Sequence, residues 1–260
     1  MPMGLTLAMT GKGGVGKTTL SALTIQWLVA RGEKPVLAVD ADSNANLHEA
    51  LGVGYTATVG GIRESARSEV PSLQGMAKQE FLDLRVQEAL VEEAGYDLVV
   101  MGRPEGRGCY CFANNALREV LDRLSRQYRH IVVDSEAGLE HISRRTLLKL
   151  DYLLIVSDAS VRGIRTAKRI ADLADEVSLG EGSRGLIVNR VPDGGITDAM
   201  QREIAATGVP LLAAIPLDPA VAAMDAGGMS IQVIPPDSPA RRALVALMER
   251  LCAEQRGGGA

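Results

Sequence analysis

Along the chain, short runs of consecutive apolar residues alternate with longer stretches in which apolar positions recur at helical spacing. The strand candidates are LTLAM (5–9), PVLAVD (35–40), DLVVMG (97–102), HIVVDS (130–135), YLLIVSD (152–158), GLIVNR (185–190) and PLLAAIP (210–216). Helical patterns lie between them, for example at 17–31, 115–126 and 161–177. The strands are apolar throughout rather than alternating, which is the pattern of strands covered on both faces. Strand and helix in turn predict a doubly wound α/β fold, with a mainly parallel sheet and helices on both faces. Residues 55–95 are polar, break the rhythm and are expected to form a helical surface insertion. One domain over residues 1–255 is expected, followed by a disordered glycine-rich tail at 256–260.

Bulk composition narrows the classes. With 260 residues, 46% hydrophobic and 23% charged, the chain can bury one sizeable core. It has no run of ~18 apolar residues, so stable membrane insertion is not expected. The opening MPMGLTLAMT leads straight into a glycine loop, unlike a signal peptide, and three cysteines do not suggest a disulfide scaffold. A cytoplasmic location is therefore expected. A net charge of −4 argues against a nucleic-acid binder.

The chemistry starts at LTLAMTGKGGVGKTTL, which reads as strand, glycine loop, helix. Gly11, Gly13, Gly14 and Gly16, with Val15 between them, allow a tight turn that aims backbone N–H groups at a polyphosphate. The helix beginning near Lys17 adds the positive end of its dipole, to which Thr18 and Thr19 belong. Lys17 is expected to reach the β- and γ-phosphates of ATP, with ADP as the product form, and Thr18 to place its hydroxyl on Mg²⁺. Two strand ends carry carboxylates, VLAVDAD with Asp40 and Asp42, and HIVVDS, a buried strand ending in Asp134, which has the form of a Walker B element holding Mg²⁺.

Lys12 is a second lysine within the same loop. The pattern G-K-G-G-x-G-K-T resembles the deviant P-loop of the MinD/ParA/nitrogenase-iron-protein group of ATPases. That resemblance implies that Lys12 crosses a homodimer interface and contacts the phosphates held by the other subunit, as an arginine finger does elsewhere. It also implies that Asp42, in VLAVDADSNANL, orients the attacking water; the alternative for Asp42 is capping of a helix over 44–51. Ser43 departs from the proline often found there. Gly138 resembles the glycine whose N–H senses the γ-phosphate. Asn189, in GLIVNR, resembles an adenine contact, and IPLD at 215–218 is expected to border the base.

Cys109 and Cys111 form a C-x-C pair in the loop MGRPEGRGCYCFANN, beside Arg103 and Arg107, which favour thiolate. One pair supplies half of a four-coordinate site, and a two-fold axis through the loop would complete it. Four sulfurs suit Zn²⁺, Ni²⁺ or an iron–sulfur cluster. The segment 135–139 has no cysteine, which weakens the likeness to the cluster site of the nitrogenase iron protein. Together GKGGVGKTT, DADSNANL, GRPEGRGCYCFANN and DSEAGLEHISRR resemble the CooC-type accessory ATPases. The resemblance implies an ATP-hydrolysing homodimer, dependent on nucleotide and metal, that carries Ni²⁺ or Zn²⁺ between subunits. It further implies that the dimer assists nickel insertion into carbon monoxide dehydrogenase or a related nickel enzyme. Two alternatives stand beside it: a positioning ATPase on membrane or DNA, whose anchor would be the helix at 240–251, and an ATP-gated iron–sulfur electron donor. Cys252 falls at helical spacing with Val245 and Met248 and is expected to face the core. His48, His130 and His141 share no metal-ligand spacing, and His141 is left open.

Overall fold

The computed structural model describes residues 4–61, 87–102, 121, 124–135, 150–176 and 183–257. Its centre is an eight-stranded sheet. In chain order the strands are β1 (Leu5–Gly11), β2 (Val36–Ala41), β3 (Leu90–Glu92), β4 (Tyr96–Val100), β5 (His130–Ser135), β6 (Tyr152–Asp158), β7 (Ser183–Val191) and β8 (Leu211–Pro216). They stand in the order β3-β4-β2-β5-β1-β6-β7-β8, and every pairing is parallel except β3 with β4. The doubly wound α/β expectation is therefore met, and the seven apolar runs all form strands.

The edge strand β3 went unseen in the sequence. Three residues in a polar stretch carry no period, and their strand geometry comes from the antiparallel register Leu90↔Val99, Val91↔Leu98 and Glu92↔Asp97. Most of the stretch 55–95 lies outside the described residues, as do most of the predicted helix 115–126 and residues 258–260.

Described helices are α1 (Lys17–Ala30), α2 (Leu47–Leu51), α3 (Val161–Glu176), α4 (Asp198–Thr207), α5 (Pro219–Gly227) and α6 (Pro239–Gly257). The pleat of β1 sorts them into two layers. Leu5, Leu7 and Met9 point into a core shared with α1, α2, α5 and α6, through residues such as Leu23, Ile25, Leu47, Met224 and Leu247. Ala8 points to the other face, where Ile164, Ala167 and Ile170 of α3 and Ile204 of α4 pack on β2, β4, β5 and β6. α1 is buried on several sides, with Leu20, Ala22, Leu23, Ile25 and Leu28 all in the core. By contrast, α6 buries a stripe of Leu244, Leu247, Met248 and Leu251. Cys252 and Val245 flank that stripe half-buried, and Cys252 packs against the same core.

Helix ends fix the loops at the carboxyl edge of the sheet. Asp218 caps α5 by accepting the Ala220 N–H at 2.9 Å, and its second oxygen accepts the Ala240 N–H of α6 at 3.0 Å. One carboxylate thus starts two helices. Burial opposes its ionisation, but these amides and the Ser238 hydroxyl hold it below the usual carboxylate range.

Candidate nucleotide-binding site

β1 delivers the glycine loop to the carboxyl edge of the sheet, where open α/β folds place their ligands. Its last residue, Gly11, lies so close to β6 that a Cβ would meet the Val156 carbonyl oxygen at 2.2 Å. At the far end Gly16 takes a left-handed φ of 94° and leads into α1. A Cβ there would sit 2.4 Å from Asn189 Nδ2, so the position requires glycine on both counts. Lys17 follows as the first residue of α1 and is buried; its Nζ donates to the Lys12 carbonyl oxygen at 3.3 Å, which curls the ammonium under the loop.

Two cavities meet at this loop. The first, of about 490 Å³, is walled by Gly13, Gly14, Lys17, Thr18, Asp42 and Glu49. The second, of about 520 Å³, lies beyond Gly16 and Thr19 and is walled largely by apolar groups of Leu20, Leu23, Pro216, Leu217 and Val221. Gly16, Thr19, Arg190 and Asp225 border both, so the two form one polar-then-apolar cleft. A polar chamber rimmed by loop amides and a lysine fits a polyphosphate; an apolar slot beside it fits a flat base.

Beneath the loop, β2 and β5 place Asp40 directly beside Asp134. Both are buried. Ser21 Oγ donates to Asp134 Oδ1 at 3.4 Å, and the Thr18 hydroxyl and Lys17 ammonium also stabilise that carboxylate. Desolvation still outweighs them and pushes Asp134 up to about 6. Asp40 is driven up to about 7, by desolvation first and then by the charge of Asp134. The Asp134 carboxylate and the Thr18 hydroxyl bonded to it, which lines the cleft, match the hard oxygen donors Mg²⁺ prefers.

Asp40 also holds the following turn. Its Oδ1 accepts the Asp42 N–H at 3.1 Å and its Oδ2 accepts the Leu47 N–H at 2.8 Å. Asp42 Oδ1 in turn accepts the Asn44 N–H at 2.8 Å. The helix begins at Leu47, not at Asn44, so Asp42 does not cap it; the carboxylate closes a tight turn and stays at the rim of the cleft.

Residues 6–231 match the CobQ/CobB/MinD/ParA nucleotide binding domain. The chain belongs to this family. It is accordingly a P-loop ATPase of the MinD/ParA kind. An uncharacterized ATP-binding protein of Methanocaldococcus jannaschii is 39% identical over 94% of this chain and 97% of its own length. The carbon monoxide dehydrogenase accessory protein CooC of Rhodospirillum rubrum is 32% identical over 94% and 97% respectively. Among solved structures, the cell division ATPase MinD of Pyrococcus furiosus superposes with a TM-score of 0.69 at 25% identity, covering 97% of this chain and 99% of that one.

Within this MinD/ParA fold, the structure brings the P-loop residues, Asp42 and Asp134 to one edge of the sheet. Lys12 is exposed and does not wall its own cleft, and among the described residues it has no ion-pair partner. Gly138, His141, Cys109 and Cys111 lie outside the described residues. Among the described residues no group of three or more His, Cys, Asp and Glu could hold a metal ion. Asn189 faces the loop: Nδ2 donates to the Val15 carbonyl at 2.8 Å and Oδ1 accepts the Arg190 N–H at 2.9 Å. Pro216, Leu217 and Asp218 do border the apolar chamber.

Sequence reasoning missed Arg190 and Asp225. Nothing in a strand-end arginine or a mid-helix aspartate announces a cleft; their place follows from the end of β7 and the face of α5. Asp40 was visible as the first carboxylate of DAD, but its work as the anchor of the turn depends on the register with β5.

Proposed function

We propose that the protein is a homodimeric, Mg²⁺-dependent ATPase of the CooC type, a metallochaperone that carries nickel or a like metal at Cys109 and Cys111 for a nickel enzyme such as carbon monoxide dehydrogenase. The observation that carries this reading is the 32% identity to CooC over 94% of the chain, together with the C-x-C loop. Within each subunit, the loop amides and the buried Lys17 ammonium bind the β- and γ-phosphates and concentrate positive charge where the transition state gains negative charge. Thr18 and Asp134 would hold Mg²⁺, which neutralises the phosphate oxygens when bound. Asp42, with Oδ2 unpartnered among the described residues, orients the attacking water. Asn189 and residues 216–218 enclose the base in the apolar chamber.

Lys12 supports the dimeric part of the reading. Its carbonyl oxygen accepts the Lys17 ammonium while its exposed side chain lies off its own cleft, a geometry suited to acting on a second copy. ATP would then draw two subunits face to face, and four thiolates from two C-x-C loops would hold one metal ion.

The second reading, a positioning ATPase, has in its favour MinD relatives such as that of Bacillus subtilis, 26% identical over 73% of this chain. Against a membrane-anchoring form of it, the apolar stripe of α6 is occupied in the core, and no described helix is long and apolar enough to cross a membrane. Equilibrium dialysis of anaerobically prepared protein against Ni²⁺ and Zn²⁺ tests the choice. One ion per dimer in wild type, lost in Cys109→Ser and Cys111→Ser with ATP hydrolysis retained, supports the metallochaperone. Absence of metal uptake, combined with ATP-dependent sedimentation on liposomes or DNA, overturns it.

A further inference from the structure

β7 carries two successive side chains to the same place. In a regular strand Asn189 and Arg190 would point to opposite faces. Here Arg190 adopts a left-handed φ of 58°, and the pairing of β7 with β8 shifts register between Val188 and Val191. Such an irregularity re-aims side chains. Asn189 reaches the Val15 carbonyl, and Arg190 Nη1 donates to the Gly14 carbonyl at 2.9 Å. A non-glycine residue held at positive φ beside a ligand cleft is strain that the surrounding structure maintains.

The glycine loop has reason to need this hold. Around Gly13 and Gly14, both exposed, no atom of the described residues beyond their chain neighbours lies within 4 Å of where a Cβ would stand. The crest of the loop therefore receives little packing, and its backbone is costly to order. A trans peptide is planar, with C=O and N–H pointing in opposite directions. Fixing the Gly14 oxygen from one side turns the Val15 N–H to the other; fixing the Val15 oxygen does the same for the Gly16 N–H. The same guanidinium continues to α5, where Nη2 meets Asp225 Oδ2 at 3.4 Å. Arg190 and Asp225 border both chambers of the cleft. An exposed ion pair contributes little by itself, but this one connects the loop to the opposite wall.

We propose that Arg190, strung between the Gly14 carbonyl and Asp225, is a positioning residue that pre-orders the phosphate loop and ties it to α5. It governs how tightly and how long nucleotide is held. The proposal rests on ATP occupying this cleft. Because the latch is in place before binding and does not depend on a γ-phosphate, it acts alike on ATP and ADP.

Stopped-flow fluorescence with mant-ATP and mant-ADP on the full chain tests it. Arg190→Gly removes the guanidinium and suits the left-handed backbone. Its Kd for both nucleotides is expected to rise about tenfold, the scale of one charge-assisted hydrogen bond, mainly through faster release. The melting temperature of the nucleotide-free protein does not fall, since the strained φ is relieved. Asp225→Ala opens one arm of the latch and raises Kd about threefold; added to Arg190→Gly it costs nothing further, as coupled groups require. Unchanged affinity in Arg190→Gly overturns the latch. So does an affinity loss matched by a fall in nucleotide-free melting temperature, which would mark an ordinary fold contact. A wild-type protein that takes up neither nucleotide overturns the ATP reading and the latch with it.

Discussion

The two ends of the β2–β5 pair bury charge in opposite ways. At the amino end, Val36 stands beside His130, and Glu33 lies just before β2. Arg129 meets Glu33 at 2.5 Å, while His130 accepts the Leu5 N–H on Nδ1 at 3.2 Å and so presents Nε2–H toward Glu33 at 3.5 Å. Every charge there faces an opposite or a donor. At the carboxyl end of the same two strands, Asp40 stands beside Asp134, like against like. The amino end closes the fold. The carboxyl end stores an unbalanced site for a cation and an anion to complete.

That contrast makes the two ends separable by substitution. The largest effect belongs to Asp42 at the carboxyl end. Asp42→Ala is expected to slow ATP hydrolysis by ~10²–10⁴ at saturating ATP, the usual loss for one positioning group. Binding of ATP should persist, so size-exclusion chromatography with Mg·ATP should show an accumulated dimer. Turnover equal to wild type would remove Asp42 from the chemistry.

At the amino end the expected loss is stability. Glu33→Gln leaves Arg129 and His130 facing an uncharged amide in a largely buried corner, and urea melts should show about 2–3 kcal/mol less stability. Hydrolysis per folded molecule should not change. If stability were unaffected, the corner would be decoration and the comparison between the ends would fail.

The two loop lysines sharpen the carboxyl end itself. Lys17→Ala removes a buried ammonium aimed at phosphate and should weaken ATP binding roughly 10–100-fold by calorimetry. Lys12→Ala should leave that affinity nearly intact and abolish nucleotide-dependent dimerisation and hydrolysis. Equal losses of affinity in the two variants would refute a role for Lys12 across the interface.

Smallest, and opposite in sign to Glu33→Gln, is the effect of Asp134→Asn. Asp40 and Asp134 titrate in the folded protein near 7 and 6, both raised from 3.8. Between about pH 4 and 7 the folded protein thus keeps protons that the unfolded chain has lost, and this pair's contribution to stability falls as pH rises. Asp134→Asn relieves the repulsion and should raise nucleotide-free stability at pH 7.5 by about 1–2 kcal/mol while flattening the slope between pH 4 and 7. A variant less stable than wild type at pH 7.5 would mean the pair is not strained. One carboxylate removed then weakens the fold at one end and strengthens it at the other.

Most of the sheet was legible because its strands are buried on both faces and so read as unbroken apolar runs; β3 was not, since its pairing with β4 and not its composition makes it a strand. The P-loop was legible because its parts are adjacent in sequence and each glycine has a local task. Asp42 was found, but its surroundings were not: the alternative of a helix over 44–51 failed because Asp40 draws the Leu47 N–H and delays the helix by three residues. Arg190 was hidden for the converse reason. Its side chain points where an ideal period-two strand would not send it, and only the bulge in β7 turns it to the loop.

β1 pairs only with β5 and β6: Leu5 stands opposite His130, and Leu7 opposite Tyr152. A ribosome must therefore pass His130 before the strand bearing the glycine loop has any neighbour. Until then the complete phosphate-binding motif is present as sequence and absent as a receptor, because nothing holds Gly11 against Val156 or Lys17 beneath its loop. Pairings this distant form late and slowly. Uptake of ATP by a nascent chain would consequently report that β5 and β6 have already taken their places on either side of β1.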